Sequence, residues 1–318
     1  MSTRERWTVV LTLALVAGAL PLTVSSRYVL STLVFIALNA MAALGLSLVM
    51  GFAGQVSLGQ AAFYGVGAYV SGVLTTSYDV GPWLALGFAI AAGALAALAI
   101  GIPIFRLSGL LLAMATLGFG IVVYYVLVNW SAVTGGPSGL TGIPALAIGS
   151  FRFDSDGRML WLTWTVLLLL VGLAGNVIDS RVGRALQALA ADEDAAEAVG
   201  IDATRMKLGV FAVAGGITAL AGSLYAHYLT VVNPSPFSFT YSIELVVMVV
   251  LGGAASVWGP VLGAAAVVTL VEALRAVLPR LTVSPGAAEY EIVLFGLLLM
   301  IVVALAPAGI AGLRRGHA

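Results

Sequence analysis

The sequence predicts an all-α, polytopic membrane protein with about ten transmembrane helices. Of its 318 residues, 61% are hydrophobic and only 9% are charged, whereas soluble domains carry about 25% charged residues. The stretches between successive charges are long and apolar, and about 20 apolar residues suffice to cross a membrane. We therefore expect a single transmembrane domain over residues 1–318.

Charged side chains are costly in hydrocarbon and collect at the ends of spans, so the gaps between charges define the predicted helices. In order, the predicted spans are 7–24, 28–50, 58–77, 82–105, 108–130, 160–178, 206–228, 243–257, 260–278 and 292–312. The first follows a charged start but no clear cleavage pattern follows it, so we expect it to be retained. With the N-terminus in the cytoplasm, most of the 14 Lys and Arg residues are cytoplasmic, and so are both termini.

The composition excludes several classes of function. Equal numbers of acidic and basic residues, 14 of each, leave no basic footprint for nucleic acid. The absence of Cys and the presence of only two His leave no zinc set or hydrolase triad. The sole lysine, Lys207, does not belong to a phosphate-binding loop, so the chain is no Walker-type ATPase. We predict no catalytic residue, metal or cofactor in this chain.

Residues 51–60 interrupt an apolar region with three Gly, two Gln and one Ser. We expect this segment to break a helix. Non-helical backbone at membrane depth is tolerated where it is buried in protein or lines a cavity, and broken helices often mark a transport path. Gln55, Ser57 and Gln60 are then candidate path residues. A turn at the membrane surface between two spans explains the same composition equally well.

Residues 179–207 form the largest polar segment, which we predict to be a cytoplasmic loop. Asp192 is placed to cap a short helix that starts at Glu193 and stops at Gly200, with acidic residues favoured in its first turn. Two helical turns are unstable alone, so the rest of the protein or a partner must hold them. The alternative is a solvated acidic loop.

Residues 131–159 are predicted to form a periplasmic loop, whose TGGPSGLTG stretch at 134–142 is explained by turn chemistry. An external partner or an outer vestibule is the alternative role. Among the spans, His227 is expected to cap or hydrogen-bond, and Glu272 and Arg275 to form a surface pair. The 38 glycines are expected mainly to let helices approach closely, as at Gly259 and Gly263.

Five motifs, in the right order, resemble the permeases of branched-chain amino acid ABC importers. The segment GQVSLGQAAFYGVGAY at 54–69 is similar to the family signature GxxSLGHAAFFGIGAY, with Gln60 where the family often has His. The others are LLAMATLGFG at 111–120, TGGPSGL at 134–140, SRVGRAL at 180–186 and VVLGGAASVWGPVLG at 249–263. The extra N-terminal span and the long outer loop resemble the LivM-type subunit more than its shorter LivH-type companion.

The resemblance implies the ten-span type II importer permease fold, shared with sugar permeases of the ribose type. Asp194, Ala195 and Ala196, followed by Gly200, are similar to the EAAxxxG loop that importer permeases present to their ATPase, with Asp for Glu and without the usual hydrophobic-Pro ending. The residues thus predicted to couple to the ATPase are Asp192, Glu193, Asp194, Ala195, Ala196, Glu197, Gly200 and Asp202. Those predicted to line the translocation path are Gln55, Ser57, Gln60 and Thr116.

The resemblance also implies partners and a location. The partners are a homologous LivH-type permease, two ATP-binding subunits that carry ATP and magnesium, and a periplasmic or extracellular substrate-binding protein. The location is the bacterial inner membrane. The expected solutes are leucine, isoleucine and valine, with other hydrophobic amino acids, amides or urea as alternatives.

Two other functions remain as alternatives to an importer permease. An ion-coupled secondary transporter would need buried acids, and this chain has few. A non-transporting membrane scaffold would have no use for a polar, broken helix.

Overall fold

The computed structural model describes residues 26–105, 107, 109–281 and 296, and this part of the chain is mostly helical. Its helices are α1 (Arg27–Ser47), α2 (Gln60–Ser77), α3 (Pro82–Ile104), α4 (Gly109–Asn129), α5 (Ser131–Thr134), α6 (Asp156–Ile178), α7 (Arg181–Ala191), α8 (Glu193–Ala198), α9 (Ala203–Leu229), α10 (Phe239–Gly252) and α11 (Gly259–Leu281). A π-helical turn, Leu48–Phe52, extends α1. Two short 3-10 turns, Gly136–Ser138 and Ser235–Phe237, lie in connecting segments.

Most predicted spans coincide with long helices. The second to seventh and the ninth correspond, within a few residues, to α1, α2, α3, α4, α6, α9 and α11. Five helices of the described part are long and apolar enough to cross a membrane: Arg27–Phe52, Pro82–Ile104, Gly109–Asn129, Asp156–Ile178 and Ala203–Leu229. The predicted spans 7–24 and 292–312 lie outside the described residues, apart from Gly296. The chain is thus a multi-pass membrane protein.

The eighth predicted span, 243–257, is wrong. The helix at this place, α10, has 14 residues and is about 21 Å long, too short for a hydrocarbon core of about 30 Å. The apolar sequence continues past the helix, but Gly253 adopts a φ of +103° and ends it. Residues 253–258 then turn the chain into α11.

Small residues bring the central helices into close contact. A Cβ atom at Gly67 of α2 would lie 2.0 Å from the carbonyl oxygen of Ala219 in α9, and one at Gly222 would lie 1.9 Å from that of Tyr64. The GxxxG pair behaves in the same way, because a Cβ at Gly263 of α11 would lie 1.8 Å from the carbonyl oxygen of Met248 in α10. The packing role predicted for the glycines is confirmed at these positions.

The segment between α4 and α6 is not purely helical, unlike the all-α prediction. Strand β1 (Leu140–Thr141) pairs antiparallel with β4 (Val231–Val232), which follows α9, and β2 (Ala147–Ile148) pairs with β3 (Phe151–Arg152). The nitrogen of Ile143 also donates to the carbonyl oxygen of Thr230. These bonds hold the segment against the end of α9, the same end at which α6 begins.

Candidate functional site

The helix break predicted at 51–60 is present. After the π-helical turn, residues 53–59 are non-helical until α2 begins at Gln60; we call residues 53–59 the broken segment. Gly54 starts its change of direction with a φ of +66°, a conformation that costs glycine nothing but strains other residues. The nitrogen of Gln55 donates to the carbonyl oxygen of Val49, 3.0 Å away, and ties the segment back to α1.

The end of the broken segment lies deep in the bundle. Gln60 is fully buried, and its Nε2 donates to Thr218 Oγ1 on α9 at 2.7 Å. Thr218 follows Lys207, the charged residue near the start of α9, by 11 residues, which corresponds to about 16 Å along the helix. Since the hydrocarbon core is about 30 Å thick, α2 begins near the middle of the membrane. This geometry favours a broken helix over a turn at the surface.

All four predicted path residues are buried polar groups on or against the broken segment. Gln55, Ser57, Gln60 and Thr116 are exposed by 6%, 1%, 0% and 1%. Thr116 Oγ1 on α4 accepts from the nitrogen of Leu58 at 3.0 Å and donates to the carbonyl oxygen of Ala113. By contrast, Gln55 Oε1, Ser57 Oγ and Gln60 Oε1 have no hydrogen-bond partner in the part of the chain that the structure describes. Such buried, unsatisfied atoms are costly and rare, so they mark places where a water or a solute would bind.

A second helix also begins at this depth. Ser242, in the first turn of α10, is 1% exposed, and its Oγ accepts from the nitrogen of Ala61 at 3.0 Å. Sequence reasoning missed Ser242, since the predicted span started one residue later, at 243. The Pro residues at 234 and 236 were the available signal, because a helix can begin soon after them and before residue 243.

The helix predicted within residues 179–207 is present as α8. Asp192 Oδ1 accepts from the nitrogen of Ala195 at 3.0 Å and caps it. Gly200 follows the helix with a φ of +89°, and Asp202 then caps α9 by accepting from the nitrogen of Arg205 at 2.9 Å. The cap and the stop that the sequence predicted are therefore confirmed.

Two interactions hold α8 against the rest of the chain. Ala196 is buried in a small apolar cluster with Leu189 and Ala203. Lys207 Nζ lies 2.5 Å from Glu193 Oε1. The remaining predicted coupling residues are left at the surface, and Val199, next to them, is 77% exposed. The helix is thus anchored on one side and presents a small, partly apolar surface on the other.

The segment that carries α8 also touches the broken segment. A Cβ at Gly54 would lie 3.2 Å from both the Cα and the Cβ of Ala190 in α7. Only Asp192 separates α7 from α8. The helix pair α7 and α8 is therefore in direct contact with the broken segment through Ala190.

The other polar residues predicted among the spans have local roles. His227 is 1% exposed and forms hydrogen bonds through Nδ1 with the carbonyl oxygen of Pro144 and through Nε2 with Ser71 Oγ. Arg275 and Glu272 form the expected pair, at 3.3 Å, and Tyr28 donates to Glu272. No group of three metal-ligating side chains occurs within the described residues.

An interrupted membrane helix with buried polar groups, linked to a capped surface helix, defines a membrane transport protein. The comparison with protein families agrees. The model of the family described as the branched-chain amino acid transport system permease component matches residues 28–303, and the chain belongs to this family.

Relatives of known name include both types of permease. The chain is 32% identical to the high-affinity branched-chain amino acid transport system permease protein LivM of Salmonella typhimurium, over 99% of this chain and 77% of that protein. It is 32% identical to LivM of Escherichia coli K12, over 89% of this chain and 69% of that protein. It is 26% identical to the high-affinity branched-chain amino acid transport system permease protein LivH of Escherichia coli K12, over 86% of this chain and 91% of that protein. No solved structure matches the chain.

Proposed function

We propose that this chain is the LivM-type permease subunit of an ABC importer and forms, with a LivH-type permease, the path for branched-chain or related hydrophobic amino acids. The observation that carries the proposal is the broken segment, which leads into Gln60 beside the middle of α9. Gln55, Ser57 and Gln60 each hold a buried oxygen with no hydrogen-bond partner within the described residues. Weak, incomplete hydrogen bonding suits a conduit, which must release its solute as readily as it takes it.

Coupling to ATP hydrolysis is assigned to α8. Its anchored side transmits force through Lys207 and Ala196, while its exposed side carries the acidic and small residues, among them Asp194 and Ala195. An ATPase that grips this side would displace α7 and the broken segment together. ATP and magnesium bind to the partner ATPase subunits. The two permeases change between inward-open and outward-open states because the ATPase subunits with ATP bind one of these states more tightly than the other.

The proposal includes the complete topology and the remaining partners. In the proposed topology the chain crosses the membrane ten times and both termini are cytoplasmic, which places residues 131–159 in the periplasm and residues 179–207 in the cytoplasm. The eighth crossing is made by α10 together with the chain that precedes it, and not by one full-length helix. The order of the described elements supports this topology. The helices α7 and α8 lie at the start of α9, whereas β1 pairs with β4 at the end of α9. A substrate-binding protein is expected to deliver solute to the periplasmic side.

The experiment is uptake by proteoliposomes that contain the complex purified through this chain. We expect an ATPase and a second permease to co-purify with the chain. Leucine uptake should require the substrate-binding protein and also ATP on the side of the membrane where the ATPase subunits lie. A chain that purifies alone and takes up solute under a proton or sodium gradient without ATP would refute the proposal in favour of a secondary transporter. Uptake of urea or amides with no uptake of leucine would refute the solute assignment alone.

A further inference from the structure

A groove lies between α2, α3 and α4, away from the broken segment. It has a volume of about 450 Å³, and it exists because α3 and α4 each pack on α2 and make few contacts with each other. Among the described residues, none that lines it is charged. Its apolar lining includes Val66, Val70 and Val73 of α2, Ala91 and Leu95 of α3, and Val126 of α4.

The groove occupies one half of the membrane. On α2 its lining runs from Val66 to Leu74, about 9 to 21 Å along the helix from Gln60, which lies near the middle of the membrane. Half of the hydrocarbon core is about 15 Å thick. The groove therefore runs along the hydrocarbon of one leaflet and reaches the interface, at the end of α2 where Gly72 lies beside Leu140 of β1.

The groove is continuous with the membrane-facing surface of the protein. Phe88 and Leu95 of α3 and Val126 of α4 line it and are exposed. Exposed apolar surface on membrane-spanning helices contacts lipid or another membrane protein. Trp130, exposed at the end of α4, lines the outer end of the groove, and Trp is typical of the membrane–water interface.

The dimensions of the groove fit a hydrocarbon chain and not a helix. Over its length of about 12 Å on α2, the volume corresponds to a mean cross-section of about 40 Å². A helix with its side chains is about 10–12 Å wide, so its cross-section is about 80 Å² or more. A membrane span cannot enter the groove, whereas a flexible chain of methylene groups can fill it and regain the dispersion contacts that a void would lose.

One polar group in the lining has no partner. Tyr69 is 3% exposed, and its Oη forms no hydrogen bond within the described residues. Tyr69 follows Gln60 by nine residues, so its backbone lies about 14 Å from the middle of the membrane, at the edge of the hydrocarbon core. The ester carbonyl groups of a phospholipid lie at this depth, and they are the acceptors that an acyl chain brings with it.

We propose that this groove binds one acyl chain of a membrane phospholipid, with the ester groups at the level of Tyr69 and Trp130. The bound chain fills the space between α3 and α4 and joins two helices that have few contacts with each other. The inference goes beyond the proposed function and does not depend on it, because it uses only the position of the groove in the membrane. The proposed topology adds that the lipid belongs to the outer leaflet.

Photo-crosslinking in liposomes tests the proposal. The assembly purified through this chain is reconstituted with phosphatidylglycerol that carries a diazirine midway along one acyl chain, irradiated, and digested for mass spectrometry. Ala91→Phe places a larger side chain in the groove at an exposed position, so the fold is expected to survive. The matched control is Ala99→Phe, at an exposed alanine of the same helix outside the groove.

We expect cross-links on residues 66–74 and 126–134 at several-fold the level found on the exposed face of α6 at Trp161 and Thr165. Ala91→Phe should lower the groove cross-links several-fold, and Ala99→Phe should leave them unchanged. Equal cross-linking of the groove and of α6, or groove cross-links that Ala91→Phe does not lower, would indicate only the lipid that surrounds any membrane protein and would overturn the inference.

A second probe identifies a protein occupant. Benzoylphenylalanine at Leu95, which lines the groove, should cross-link to lipid. Cross-linking to a second permease, or to residues 7–24 of this chain, would overturn the inference because a protein segment would then cover the groove. Neither experiment measures transport, so failure of leucine uptake would refute the proposed function and leave the lipid site standing.

Discussion

Lys207 Nζ lies 2.5 Å from Glu193 Oε1, so the sole lysine of the chain joins the first turn of α8 to the second turn of α9. Lys207 is 8% exposed, whereas a second pair at the same place, Arg205 and Asp202, is at the surface, with an arginine side chain that is 88% exposed. Substitutions in the two pairs therefore distinguish the effect of anchoring α8 from the effect of removing a charge in the loop.

Breaking the half-buried pair of Lys207 and Glu193 should uncouple transport. We expect Glu193→Gln to lower ATP-driven uptake strongly and to cost about 1–2 kcal/mol of stability, less than for a fully buried pair because Glu193 is half exposed. Arg205→Met should change neither by much. Uptake and thermal unfolding in detergent measure both effects. Restored uptake in the exchanged pair, Glu193→Lys with Lys207→Glu, would show that the contact matters, and full uptake in Glu193→Gln would contradict the role of the anchor.

The exposed side of α8 should bind the ATPase. Val199→Asp introduces a charge at a position that is 77% exposed, so the fold is expected to survive while co-purification of the ATPase falls. The matched control is Ile148→Asp, 61% exposed in the segment between α4 and α6, where the same change should leave the ATPase bound. Equal retention of the ATPase by both variants would remove α8 from the proposed docking surface.

The hydroxyl of Thr116 should fix the broken segment to α4. In Thr116→Val the nitrogen of Leu58 loses its acceptor, and a buried unsatisfied N–H costs about 1–3 kcal/mol. We expect a lower midpoint of thermal unfolding and reduced uptake, whereas Thr116→Ser keeps the acceptor and should behave nearly as the unsubstituted chain. If the Val and Ser variants unfold at the same temperature, this bond does not stabilise the segment.

Close packing of α2 on α9 should tolerate no side chain at Gly222. A Cβ there would lie 1.9 Å from the carbonyl oxygen of Tyr64, so Gly222→Leu must separate the helices, at a cost of about 3 kcal/mol. Gly87→Ala in α3, where nothing lies within 4 Å of the new Cβ, should cost nothing. Folded yield after size-exclusion chromatography distinguishes the two, and equal yields would contradict the packing.

Much of this architecture follows from composition alone, because the cost of burying charge dictates where spans end. The break at 53–59 was also predictable, since Gly, Gln and Ser interrupt an apolar run there. The length of α10, in contrast, could not be predicted from the sequence. Its sequence is as apolar as a full span, and its end depends on the φ of +103° at Gly253 and on the contact of Gly252 with Gly259, both of which are tertiary features.

The candidate site shows the same division. Gln55, Ser57 and Gln60 stand out in the sequence because polar residues are rare in this region. Ser242 does not stand out, because a single Ser at the edge of an apolar run is ordinary, and it gains a role only when α10 packs on α2. The anchor of Lys207 on Glu193 likewise depends on the turn at Gly200, which folds α8 back toward the start of α9.

His227 should hold the segment after β1 against α9. Its Nδ1 lies 2.7 Å from the carbonyl oxygen of Pro144, and its Nε2 lies 2.8 Å from Ser71 Oγ, which also accepts from Ser223. In His227→Phe these buried groups lose a partner, which costs about 1–3 kcal/mol. Since Pro144 then has no tie to α9 through this side chain, we expect faster amide hydrogen exchange at residues 140–146.

The matched control for His227 is the next residue. Tyr228 donates to Asp156 Oδ1 at 2.8 Å, so Tyr228→Phe removes a bond to the start of α6 and not to the segment around Pro144. It should speed exchange at the first turn of α6 while leaving residues 140–146 protected. If His227→Phe leaves the exchange of 140–146 unchanged, the pairing of β1 with β4 and the bond from Ile143 to Thr230 hold the segment without the histidine. If both variants expose both regions, the start of α6 and the end of α9 open as one unit, and His227 has no separate positioning role.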